Sequence, residues 1–233
     1  MCNILNNIRL IIAAAAIALS GSVAAQQLIP MPREMKADTS RRIHLKQVDA
    51  QVNPRLQLPD EGYTLVVSGS KAILRARTPQ GLVWAKATLR QLEGSDGSYP
   101  KVTIRDWPAF PIRGFMHDTG RNFRPVDMLK KELDLFSQYK INFFHWHLTD
   151  NPAWRIECKA YPQLNDPKYQ YKGRDEGKYY TYDEIREVIA YARERGITIL
   201  PEIDMPGHSR FFNDTFGFGT VSYTHLTLPT KRI

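Results

Sequence analysis

Cysteine is scarce, with only Cys2 and Cys158 in 233 residues. Cys2 sits in the opening stretch MCNILNNIRLIIAAAAIALSGSVAAQQ, which has one early positive charge at Arg9, an apolar run from Leu10 to Leu19, and small Val23 and Ala25 at a cleavage-site spacing. This is the pattern of a secretory signal peptide over residues 1–25, with cleavage expected before Gln26 and export to the periplasm or the cell exterior. Its loss leaves Cys158 as the only thiol and excludes an intramolecular disulfide. The apolar run is shorter than the roughly 20 residues needed to cross a bilayer. No basic stop-transfer cluster follows it, so no stable membrane anchor is expected.

Basic runs and repeats are missing too. The net charge of +8 and pI of about 9.5 come from scattered Lys and Arg. Without a basic run interleaved with aromatics, nucleic acid is not an expected partner. Apart from the alanine-rich leader there is no low-complexity tract, and the chain after it reads as globular. At the other end, TVSYTHLTLPTKRI shows neither apolar period nor capping signal. Within it, VSYTHLTLPT resembles one reading frame of a sequencing-library adapter, so residues 220–233 are set aside as a non-native tail.

Between these ends, residues 26–110 read as a small α+β domain. EGYTLVVSG and KAILRART are β-prone runs with Gly69 and Ser70 as a turn between them. GLVWAKATLRQLEG places Leu82, Ala85, Leu89 and Leu92 at helical spacing and ends near Gly94, and YPKVTIRD alternates Val102 and Ile104. Pro108 and Pro111 then mark a boundary. From residue 111 the texture becomes strands alternating with amphipathic helices, the sign of βα units on a parallel sheet. IRGFMHDTG, INFFHWHL and ITILPEID are the strands. VDMLKKELDLFSQYK, with Leu129, Leu133 and Phe136 on one face, and TYDEIREVIAYARERG, with a Thr181–Glu184 capping box and Gly196 as its stop, are the helices.

In such folds chemistry gathers where strands end and loops begin. His147 and Asp150 follow the second strand, and Glu202, Asp204 and His208 follow the third. His145 and His147 share a strand face. A His-x-His strand end with a later His and carboxylates fits a zinc or iron hydrolase on a barrel. The same carboxylates beside Trp146, Trp154, Tyr179 and Tyr180 suit a sugar, whose C–H faces stack while its hydroxyls need polar partners.

RGFMHDTGRNF, NFFHWHLTDNPAWRIE and ILPEIDMPGHS resemble, in order, three blocks of glycoside hydrolase family 20, the β-N-acetylhexosaminidases. GLVWAKATLRQL and IRDWPAFPIRG are similar to that family's non-catalytic N-terminal domain. The resemblance implies a TIM (β/α)8 barrel of which residues 111–219 supply the first three βα units. It implies retaining hydrolysis of a terminal β-linked GlcNAc or GalNAc from a glycan, with the substrate's own acetamido oxygen attacking the anomeric carbon. No cofactor and no metal are implied. Arg113 matches the arginine that grips the sugar hydroxyls. Asp150 and His208 match a polar pair that supports the catalytic acid, so Arg113, Asp150 and His208 are expected to open onto one cavity. His145 and His147 are read as wall residues.

The family also carries an adjacent Asp-Glu pair after its fourth strand, as acetamide-orienting and acid/base groups. None of Asp60-Glu61, Asp175-Glu176 and Asp183-Glu184 stands at that place. Asn151-Pro152 also departs from the family's usual residues after Asp150. Three strands cannot close a barrel of eight, so the chain as written is expected to be inactive and unstable beyond Pro111. A metal-dependent barrel hydrolase and a non-catalytic carbohydrate-binding protein remain as alternatives.

Overall fold

A computed structural model describes residues 28–217. The signal-peptide stretch and the set-aside tail lie outside the described residues. The chain divides into two compact units, Met1–Pro108 and Ala109–Ile233. Among the described residues no helix is long and apolar enough to cross a membrane.

Among the described residues the first unit is a five-stranded sheet with one helix against it. Its strands are β1 (Glu34–His44), β2 (Gln47–Val52), β3 (Tyr63–Ser68), β4 (Lys71–Ala76) and β5 (Ser98–Asp106), ordered β1-β5-β3-β4-β2. Only the β2–β4 pairing is parallel. Alternation places Tyr63, Leu65 and Val67 of β3 and Val102 and Ile104 of β5 on one face. There they bury against Trp84, Ala85, Leu89 and Leu92 of helix α1 (Pro79–Leu92). Thr78 caps that helix by accepting from the Gly81 N–H at 3.2 Å. The buried Tyr63 hydroxyl lies 2.6 Å from Thr88 Oγ1 and donates to Asp106 at 2.8 Å, so the ring's polar end is satisfied inside the core. Neither β1 nor β2 was expected. Both are largely solvent-exposed edge strands, β1 without a sustained apolar alternation and β2 with only the short alternation of Val48, Ala50 and Val52.

The second unit is built on a parallel sheet, β6 (Gly114–Asp118), β7 (Phe143–His147) and β10 (Thr198–Glu202), in the order β10-β7-β6. Helices α2 (Val126–Gln138) and α3 (Tyr182–Glu194) cover one face, with Leu129, Leu133, Phe136, Val188 and Ala192 packed on Phe144 and Trp146. Each large side chain buried there contributes roughly 1.5–3 kcal/mol. The expected capping box opens α3, Glu184 N–H donating to Thr181 Oγ1 and Thr181 N–H to Glu184 Oε2.

The register sets out the other face of this sheet in three rows. Gly114, Phe143 and Thr198 form the first, Met116, His145 and Leu200 the second, and Asp118, His147 and Glu202 the third. Polarity therefore rises toward the C-terminal ends of the strands. Met116 and Leu200 are each 51% exposed, although parallel sheets are ordinarily covered on both faces. Beyond β7 the chain makes a small antiparallel ladder, β8 (Thr149–Asp150) with β9 (Ala153–Trp154), joined by Asn151 and Pro152. A final short helix, α4 (Arg210–Phe216), packs Phe211 and Phe212 on Trp154.

Two arginines tie this unit together by binding main-chain carbonyls. Arg113, just before β6, donates from Nε to the Lys140 carbonyl at 2.7 Å and from Nη1 to the Phe110 carbonyl at 2.8 Å. Lys140 has left-handed backbone (φ 59°) where the chain leaves α2, so the Nε contact is made at that helix's negative end. The Asn142 side chain completes the clasp, accepting from Arg113 N–H and donating to the Pro111 carbonyl. Arg155 is 0% exposed and donates to the carbonyls of Gly120, Arg174, Asp175 and Lys178. It thereby folds the 171–178 loop over the end of β6.

Arg113→Ala should lower the stability of the second unit by about 1–3 kcal/mol, the cost of stranding carbonyl acceptors, as read from urea unfolding of a chain extended through its remaining strands. Arg155→Lys keeps the charge but loses the planar fork that reaches four carbonyls, and a loss of roughly 2–4 kcal/mol is expected in the same measurement.

Candidate active site

The polar row at the strand ends is the floor of a tight charge network. Thr119 and Gly120 N–H both donate to the His147 carbonyl at 3.0 Å, which wraps the end of β6 onto β7. The approach is close: a Cβ at Gly120 would sit 2.9 Å from the Thr149 carbonyl carbon and 3.0 Å from Asp150 N. This contact brings Arg121 over Asp150. Arg121 bonds Asp118 Oδ2 through Nη1 at 2.5 Å and Asp150 Oδ2 through Nη2 at 2.8 Å.

Asp150 is 1% exposed. Its Oδ1 accepts from Asn151 N–H at 2.6 Å, while Oδ2 faces Arg121, His147 Nε2 at 3.1 Å and His208 Nδ1 at 3.3 Å. His208 Nδ1 also lies 3.2 Å from Arg121 Nη2. The loop that carries His208 is pinned to the β8–β9 ladder at two points, Asp204 N–H to Thr149 Oγ1 and Arg210 N–H to Asn151 Oδ1, each 3.1 Å. His208 itself holds positive φ, 53°, a conformation that non-glycine residues adopt sparingly and often at functional sites.

Glu202 Oε2 lies 2.9 Å from His147 Nδ1 and 2.5 Å from His145 Nε2. Burial disfavours the charged His147 ring, but the carboxylates of Glu202 and Asp150 outweigh it and raise its pKa above the ordinary histidine value. Burial works likewise against ionised Glu202, yet His147 holds its pKa below the usual range. Burial and the neighbouring Glu202 together push Asp204 upward, so a proton held by this pair of carboxyls favours Asp204. Two groups, Asp118 with His147 and Asp150, and His147 with Glu202 and Asp204, have donor atoms within 4.8 Å of one another. A cation at the first would compete with the Arg121 guanidinium, and at either it would compete with protons for His147.

Asp150 and His208, named from sequence, come together here. Arg113 does not. It lies at the N-terminal end of β6, whereas Asp150 and His208 stand at the C-terminal ends of the strands, and its guanidinium is engaged by the carbonyls beside α2. Arg121 takes the place expected of it. The strand-end rule already separated the two, since Arg113 precedes the strand and Arg121 follows it. Trp146 and Tyr180, expected beside the sugar, instead lie in the helix-side core, in edge contact 4.8 Å apart. His145 and His147 do share a face, and Asn151-Pro152 forms a tight turn whose Asn links to α4.

Residues 110–221 match the family model for the glycosyl hydrolase family 20 catalytic domain, and residues 13–107 match that for domain 2 of the same family. The chain is 46% identical over 176 residues to a beta-hexosaminidase of Vibrio furnissii, covering 69% of this chain and 28% of that one. It is 35% identical over 212 residues to a beta-hexosaminidase of Porphyromonas gingivalis, covering 80% and 27%. Among solved structures, a beta-N-acetylhexosaminidase from Bacteroides fragilis superposes with TM-score 0.74 at 30% identity, covering 83% of this chain and 48% of that one. An exo beta-N-acetylglucosaminidase from Vibrio harveyi, in complex with N-acetylglucosamine, does so with TM-score 0.73 at 31% identity, covering 83% and 38%. The chain thus spans little more than a quarter of these two curated relatives, and in both of its units it belongs to glycosyl hydrolase family 20.

Proposed function

We propose that this chain supplies the second domain and the first three barrel strands of an exported, exo-acting β-N-acetylhexosaminidase, and that Arg121, Asp150 and His208 hold the terminal sugar of a glycan. The observation that carries this reading is the graded exposure of the three groups. The Asp150 side chain is 1% exposed, whereas those of Arg121 and His208 are 43% and 28% exposed. The buried carboxylate anchors the two groups that a ligand can reach. An open guanidinium and an imidazole edge then offer donors to ring hydroxyls, as a sugar pocket requires. Hydrolysis would be retaining and substrate-assisted, with the acid/base Glu and the acetamide-orienting Asp supplied beyond the residues described.

A polypeptide continuing this chain through its remaining strands is expected to release nitrophenol from 4-nitrophenyl N-acetyl-β-glucosaminide. Tight N-acetylglucosamine binding without turnover would instead favour a carbohydrate-binding protein. In the active form, Arg121→Ala should lower kcat/KM by roughly 30- to 1000-fold, as about 2–4 kcal/mol of charge-assisted binding implies. Unchanged kinetics would remove Arg121 from the site. Gly120→Ala should lower kcat/KM by about tenfold or more, because the added methyl must displace the Asp150 main chain, and ångström-scale misplacement costs rates of this order.

A further inference from the structure

His147 is the one member of the network that meets two carboxylates from different strand ends while being too buried to meet a ligand. It is 4% exposed. Nε2 lies 3.1 Å from Asp150 Oδ2 and 3.9 Å from Asp118 Oδ1, and Nδ1 lies 2.9 Å from Glu202 Oε2. The other charged groups facing this cluster are Arg121 on Asp118 and Asp150, His208 on Asp150, His145 on Glu202, and Asp204 beside Glu202. Only an imidazolium donates from both ring nitrogens at once. Without the Nε2 donor, Oδ2 of Asp150 is left to Arg121 and His208, and it can draw the guanidinium inward, away from any ligand.

We propose that His147 is a positioning residue for the sugar pocket: it donates from Nε2 to Asp150, with the Glu202 carboxylate as an ion-pair neighbour 2.9 Å from Nδ1, and so keeps the Arg121 fork turned toward the bound sugar. This rests on the reading of Arg121, Asp150 and His208 as the sugar pocket. His147 touches no substrate itself. Its raised pKa agrees with this arrangement, since neighbouring carboxylates stabilise the doubly protonated ring. The sign follows: below that raised pKa both ring nitrogens carry protons and Nε2 always donates to Asp150, and as pH rises through it one proton leaves and the share of rings whose Nε2 still donates falls.

The two amide side chains separate the two nitrogens. Glutamine can place its amide N–H near the position of Nε2, and asparagine near that of Nδ1. In the active, extended enzyme, inhibition by N-acetylglucosamine would be measured from pH 5 to 9 (about 2 units either side of an unperturbed histidine) for wild type, His147→Asn and His147→Gln, with thermal unfolding alongside. His147→Asn is expected to weaken the inhibitor about tenfold or more, the loss of one charge-assisted hydrogen bond, whereas His147→Gln should stay within about threefold. Wild type should lose affinity on the alkaline side, and His147→Gln should lack that limb. Equal affinities for the two variants, or an alkaline limb kept in His147→Gln, would overturn the positioning role. If both variants unfold, the wild-type limb decides, and its absence overturns the role. A wild-type enzyme that neither binds N-acetylglucosamine nor cleaves the nitrophenyl substrate would remove the pocket reading itself, and the positioning role with it.

Discussion

The second unit is organised around the burial of one carboxylate. A carboxylate as enclosed as that of Asp150 is costly unless charge and hydrogen bonds compensate it, and its partners come from three separate strand ends. Arg121 arrives from the loop after β6, His147 from the end of β7 and His208 from the loop after β10. Each arrival needs local backbone geometry. The chain must pass Thr149 and Asp150 without a side chain at Gly120, the ladder of β8 and β9 must turn at Asn151, and the loop after β10 must bend at His208. Much of the backbone detail at this end of the sheet can be understood as what brings those three partners within reach.

The two arginines flanking β6 show how one residue type serves opposite ends of a strand. Before the strand, Arg113 binds the main-chain carbonyls of Lys140, just past α2, and of Phe110. After it, Arg121 binds carboxylates. The guanidinium suits both tasks because its donors lie in a plane and it stays charged in either setting. What differs is the partner: Arg113 is engaged with main-chain carbonyls, and Arg121 with the carboxylates of Asp118 and Asp150.

Much of this was legible in the sequence. The apolar period of α2 and α3, the Thr181–Glu184 box and the three β-prone runs located the βα units, because these signals are local. The cluster of Asp150 and His208 followed from the rule that polar residues just past parallel strands share a mouth. Three things were not legible. β1 is an exposed edge strand with no sustained alternation, and β2 is an exposed edge strand of six residues whose alternation is limited to Val48, Ala50 and Val52. Trp146 and Tyr180 turn to the helix side, and the place of an aromatic follows from register rather than from nearness in sequence. Arg113 was preferred to Arg121 because it opened a recognisable block, although strand direction favours the residue after β6.

The polar row of Asp118, His147 and Glu202 also bears on how the strands find their partners. Side chains alternate between the two faces of a sheet, so a slip of one residue in β7 would turn His147 into the apolar layer under α2 and α3 and expel Phe144 and Trp146 from it. Both changes are unfavourable, one by stranding a polar ring among hydrocarbons and the other by wetting two large aromatics. The charged groups that build the pocket therefore penalise mispaired sheets, and replacing them with hydrophobic residues would make the alternative pairings more nearly isoenergetic. Ligand recognition and fidelity of strand alignment are in this way carried by the same few side chains.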